Sequence, residues 1–112
     1  MNDVIICNRE IIICNAFSLQ MLPLTDAVLL DIVPVDEVFV DRLFKNPKYH
    51  ITSAVGHEDT ANVLGVEFNR IDINLTEDVT LLVAQVVGGR LPEGATRLPE
   101  GVKISWVLVN KL

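Results

Sequence analysis

Residues 79–87 read Val-Thr-Leu-Leu-Val-Ala-Gln-Val-Val. A nearly unbroken apolar run of this length fits a central β-strand covered on both faces, because a strand with one wet face would alternate. Thr76-Glu77-Asp78 before it reads as a turn, and Gly88-Gly89 after it opens a loop. Upstream, residues 3–7 (DVIIC) and 10–14 (EIIIC) are two short apolar runs separated by Asn8-Arg9. Either they form a hairpin, or the first is an N-terminal extension to the second. A further strand, AVLLDIV, lies within residues 25–33. Pro34 stands where a helix begins, with Asp36 and Glu37 in its first turn, Val38, Leu43 and Phe44 on one face, and Asn46-Pro47 as its stop. Residues 49–55 form the next strand, and residues 58–64 a helix capped by Gly65. Residues 69–75 alternate, placing Ile71, Ile73 and Leu75 on one face of another strand, and residues 102–109 supply the last one. Strands interspersed with short helices predict an α/β domain with a mixed sheet of five to six strands. It spans residues 1–112 as a single unit, residues 1–9 being an extension or an extra strand.

The chain of 112 residues is long enough for one hydrophobic core. Half of it is apolar and the mean hydropathy is +0.40, which argues against disorder. No apolar run approaches the roughly 20 residues that span a bilayer. The Ile/Cys-rich start, with Asp3, Arg9 and Glu10, makes a poor signal peptide, so the cytoplasm is the expected compartment. A net charge of −6 argues against a broad nucleic-acid-binding face, including a DNA-binding one. It leaves room for a small anion held by a few arginines. Cys7 and Cys14 read as buried free thiols; neither their spacing nor the histidines suggest a metal site.

Three stretches stand at strand ends, where sites tend to sit. In Ala54-Val55-Gly56-His57-Glu58-Asp59-Thr60 a strand ends at a glycine that permits a sharp turn. His57 then falls near a helix N-terminus, where free N–H groups favour anions, and histidine exchanges protons near neutral pH. Taken alone, such a histidine is more often structural. Asn15-Ala16-Phe17-Ser18 leads from a strand into a short helix, which Asn15 and Ser18 suit as caps. The loop over 88–101 contains Arg-Leu-Pro-Glu-Gly twice, seven residues apart. It reads either as a shaped site loop or as a tight connection with its charges in water.

Asn-Ala-Phe-Ser, Gly-His-Glu-Asp-Thr and Arg-Leu-Pro-Glu-Gly, in this order after three strands, give the chain a resemblance to a known family over roughly residues 10–109. It resembles the small proteins of archaeal viruses, phages and mobile elements once known only as a domain of unknown function, among them the type III anti-CRISPR ring nucleases. The resemblance implies a homodimer whose shared pocket binds cyclic tetra-adenylate. It implies metal-independent cleavage of that ring without a cofactor, which silences the effector nucleases the messenger activates. If virus-encoded, the protein would act in the host cytoplasm. His57 matches the catalytic histidine, and Arg90 and Glu93 match the arginine and glutamate of the third motif. Asn15 and Ser18 match ligand-contacting positions, as do Thr60, Arg70 and, with one residue inserted before Arg90, Gln85. Asp59 departs from a common serine. Arg97 and Glu100 form a second copy of the loop pair; Arg90 and Glu93 are preferred because they directly follow the strand.

The chemistry suits such a substrate. RNA carries its own nucleophile, the 2′-hydroxyl, so a protein need only align it and manage charge and protons. His57 would protonate the leaving oxygen, Glu93 would support His57, and Arg90 would hold the phosphate. The rival expectations are a protein that sequesters a cyclic nucleotide without cutting it, and a structural or interaction protein of a mobile element.

Overall fold

The structure, a computed structural model, describes residues 8–112. The expected strand over 3–7 and Cys7 lie outside them. Five strands form one mixed sheet: β1 (Glu10–Cys14), β2 (Leu30–Val35), β3 (His50–Ser53), β4 (Val79–Val87) and β5 (Lys103–Lys111). Their spatial order is β2-β5-β4-β1-β3. Strand β1 runs parallel to both β3 and β4, while β5 is antiparallel to both β4 and β2. Among the described residues two helices accompany the sheet, α1 (Glu37–Lys45) and α2 (Glu58–Leu64), with a short 3-10 turn at Leu19–Met21.

The run that opened the reading is β4 from end to end, and it occupies the middle of the sheet. Its side chains divide with the period of two that a pleated strand imposes. Leu82 and Ala84 join Ile11, Ile13, Trp106 and Leu108 beneath Val40 and Leu43 of α1 and Ala61 of α2. Leu81 and Val83 face the other way and pack with Cys14, Leu22, Ile73, Leu75 and Val109. Both faces are therefore covered, one by helices and the other by irregular chain, which is why the strand is apolar at nearly every position. Ile11, Leu81, Leu82 and Leu108 are fully buried, each burial contributing about 1.5–3 kcal/mol.

Two expectations are corrected. Pro34 does not open a helix; it lies within β2, opposite Val107 of β5. An edge strand can hold a proline because its outer side needs no N–H donor, and β2 is at the edge. Helix α1 begins later, where the Asp36 carboxylate accepts a 2.8 Å bond from the Phe39 N–H. Residues 69–75 are not a strand. Asn69 N–H donates to the Val55 carbonyl and Leu75 N–H to that of Met21, so the segment leaves the sheet edge to cover a face. Ile73 and Leu75 are buried there, while Ile71 is exposed. The alternation reflected the covering of a sheet rather than membership of one.

Cys14 is a buried free thiol, as expected, and burial pushes its thiol up to about 11. In a Cys7→Ser background it should resist a thiol reagent near neutral pH, then react fully in denaturant, with Trp106 fluorescence reporting the fold. Rapid native labelling would contradict the packing. Because the folded thiol is the more reluctant to ionise, its contribution to stability is complete below about 9 and is lost as pH rises towards 11. Among the described residues no helix is long and apolar enough to cross a membrane.

Candidate functional site

The parallel strands β1, β3 and β4 end on the same side of the sheet, and the chain beyond each end builds the site. In open α/β sheets the crevice outside these carboxyl ends is the usual ligand position. Gly56 is the junction. Its N–H donates to Asn15 Oδ1 at 3.1 Å, and its carbonyl accepts from Arg70 Nε at 3.0 Å. Residues 41 positions and 14 positions away thus meet at one residue. The sharp-turn reading of Gly56 needs amending, since its φ is not positive. What the position requires is room: a Cβ there would lie 3.3 Å from Arg70 Cγ. The Arg70 guanidinium also lies over the Phe68 ring, 5.5 Å from its centroid.

His57 is the N-cap of α2. Its Nδ1 accepts from the Thr60 N–H at 3.3 Å and lies 3.1 Å from Thr60 Oγ1. The ring thus takes one of the N–H groups that the helix end was expected to leave free for an anion. The Thr60 donor is taken by the ring, and Ala61 N–H donates to the His57 carbonyl. Glu58 and Asp59 already set negative charge in the first turn. The benefit falls to the imidazole. With Nδ1 accepting from backbone, the proton of the neutral ring sits on Nε2, and Thr60 is buried while His57 is exposed. The sequence carries a signal for this, since a residue preceding Glu-Asp-x-x-x-Val can cap a helix.

A depression of roughly 700 Å³ joins His57 to Asn15, Thr60, Gln85 and Arg90. Five of the eight expected site residues therefore line one hollow. Gln85 is exposed at the end of β4, where the burial of that strand gives out. A second depression of roughly 620 Å³ is lined by Ser18, Gln20, Arg70 and Asn74, with Asn15 common to both. Ser18 caps the 3-10 turn as expected, accepting from the Gln20 N–H at 3.2 Å. Asn15 does not cap that turn; its amide oxygen accepts from Gly56 instead.

The loop separates its two copies. Arg90 lines the His57 hollow, whereas Arg97 and Glu93 line a different one, at the outer part of the loop. Each Pro-Glu-Gly forms a turn: Ala95 N–H donates to the Pro92 carbonyl, and Val102 N–H to that of Pro99. Gly94 and Gly101 hold φ of 77° and 80° at the third position, where such a turn demands a residue without a Cβ. The repeat thus encodes one turn twice. Asp59 was not foreseen as a contact; its carboxylate accepts from the Gly94 N–H at 2.9 Å.

The STIV B116-like family model matches residues 11–104. The chain belongs to the STIV B116-like family. Among solved structures it is similar to B116 of Sulfolobus turreted icosahedral virus, with a TM-score of 0.64 and 23% sequence identity. That match covers 90% of this chain and 98% of the viral one, and it establishes a shared fold. No curated protein matches the sequence. The matched region of this STIV B116-like chain runs from β1 into β5, so all eight expected site residues fall inside it.

Proposed function

We propose that the protein is a metal-independent ring nuclease that binds and cleaves cyclic tetra-adenylate, removing the messenger of type III CRISPR defence. The observation that carries this reading is the meeting of Asn15, His57, Thr60, Gln85 and Arg90 around one hollow. Each of these residues matches a catalytic or ligand-contacting position of the family that the sequence resembles. The arrangement suits the chemistry. The 2′-hydroxyl attacks its own phosphorus and the 5′-oxygen leaves, so the leaving oxygen needs a proton and the phosphorane needs positive charge. As the imidazolium, His57 would supply the first from Nε2 while the 2′-hydroxyl proton passes to water, and Arg90 would supply the second. Two-fold pairing of the chain lets a ring of four nucleotides lie on the axis, each subunit offering one His57 and one Arg90.

One observation favours a second reading, sequestration without cleavage: Glu93, the residue meant to support His57, stands outside the hollow. Incubation of the protein with radiolabelled cyclic tetra-adenylate in EDTA, alongside light scattering, separates the readings. Linear adenylates ending in a cyclic phosphate, from a particle of twice 12.4 kDa, are expected. Tight binding of an intact ring would establish the sequestering reading instead. A monomer with no affinity for the ring would remove both.

A further inference from the structure

The loop between β4 and β5 is closed at its neck and held at its tip. At the neck, a Cβ on Gly88 would lie 2.4 Å from the Gly101 carbonyl oxygen, and one on Gly89 would lie 3.0 Å from Val102 Cγ2. The two ends of the loop are thus in contact, and Gly88 adopts φ 88° to allow it. Within the loop, the Pro92 and Pro99 turns fold the chain back on itself. At the tip, Gly94 N–H donates to Asp59 Oδ1 at 2.9 Å. Among the described residues this is the one hydrogen bond from the loop's interior to another element. Ala95, next to it, is buried, although the loop around it is exposed.

We infer that Asp59 is a positioning residue that latches this loop to α2 and so sets the place of Arg90. Asp59 lies in the first turn of α2, between His57 and Thr60, and is half-buried where Glu58 is exposed. One helical turn therefore holds the imidazole through Thr60 and the arginine's loop through Asp59. A carboxylate is well suited to the task, because a charged acceptor strengthens a bond to a backbone N–H. The closed neck limits what the loop can do when the latch opens. It can swing as a body about Gly88 and Gly101, carrying Arg90 away from His57, without unfolding the strands on either side.

The functional part of this inference rests on the proposed reading of the site; the latch itself does not. The test uses the full chain with Asp59→Ala and Asp59→Asn, each alone and combined with Arg90→Ala. Amide exchange at Gly94 should quicken about 10- to 100-fold in Asp59→Ala, the value of one hydrogen bond to a charged group, with the Trp106-monitored Tm little changed. The Arg90 and Leu91 amide shifts should move with it. Asp59→Asn, which keeps an acceptor oxygen, should restore most of both. Affinity for cyclic tetra-adenylate should fall in Asp59→Ala, yet fall no further when Asp59→Ala is added to Arg90→Ala, because the two act through one contact. Unchanged Gly94 exchange, or full additivity with Arg90→Ala, would overturn the latch. Should the wild type not bind the ring at all, only the proposed function fails, and exchange and shifts still decide the role of Asp59.

Discussion

Replacing His57 with alanine is expected to slow single-turnover cleavage of cyclic tetra-adenylate by ~10²–10⁴-fold while leaving affinity for the ring nearly unchanged. The split follows from when each interaction matters. A proton is needed only as the 5′-oxygen departs, so its donor acts on the transition state, whereas the phosphate is held in the ground state by other groups. The structure adds a control. His57 caps α2 through Nδ1, so alanine also removes a helix cap at a cost of about 1 kcal/mol. Asparagine caps well but carries no dissociable proton, so His57→Asn should keep the Tm and lose the activity. If His57→Asn cuts the ring at the wild-type rate, the catalytic assignment is wrong. If both variants lose binding as well as cleavage, the imidazole is a ligand clamp and the sequestering reading gains.

Much of this arrangement is legible in the sequence, and the gaps have physical causes. Strand β4 was readable to the residue because burial on both faces leaves few positions for polar side chains. Helix α2 was readable because Gly65 ends it in a left-handed conformation, φ 71°, and charged residues open it. Pro34 misled because strand edges are tertiary facts: nothing in its neighbours says that β2 lacks an outer partner. Residues 69–75 misled because covering a sheet and joining one impose similar alternation. In the site, Asn15 suits a helix cap by its residue type and matches a ligand-contacting position by resemblance. As a cap it would serve its own turn, but it reaches Gly56, and such a long-range bond has no local signature. The Pro-Glu-Gly repeat held a signal that was underused. Glycine two residues after proline is turn chemistry, which accounts for Glu93 and Glu100 as members of two similar turns. The Asp59–Gly94 bond could not have been read, since it links a side chain to a backbone group that every sequence possesses.

The second large effect concerns the arginines of that repeat. Sequence alone presents two Arg-Leu-Pro-Glu-Gly copies and favours the first only because it directly follows a strand. Geometry makes them unequal: Arg90 lines the His57 hollow and Arg97 does not. A guanidinium on a phosphate contributes about 1.5–3 kcal/mol as a charge-assisted bond, so Arg90→Ala should weaken binding about 10- to 100-fold. Cleavage should fall at least as far, because negative charge grows on the phosphorane and the arginine serves both states. Arg97→Ala should change either quantity by no more than a few-fold, the scale of an exposed charge near a site. Salt gives an independent check. Each phosphate contact to a single-stranded ligand contributes about −0.7 to the slope of log affinity against log salt, so Arg90→Ala should flatten the dependence and Arg97→Ala should not. Equal losses at the two positions would mean that the loop binds the ring across its whole length, with both turns engaged. A loss at Arg97 alone would transfer the functional pair to the second copy. It would also require the loop to sit differently on the bound ligand, with the Asp59 latch released.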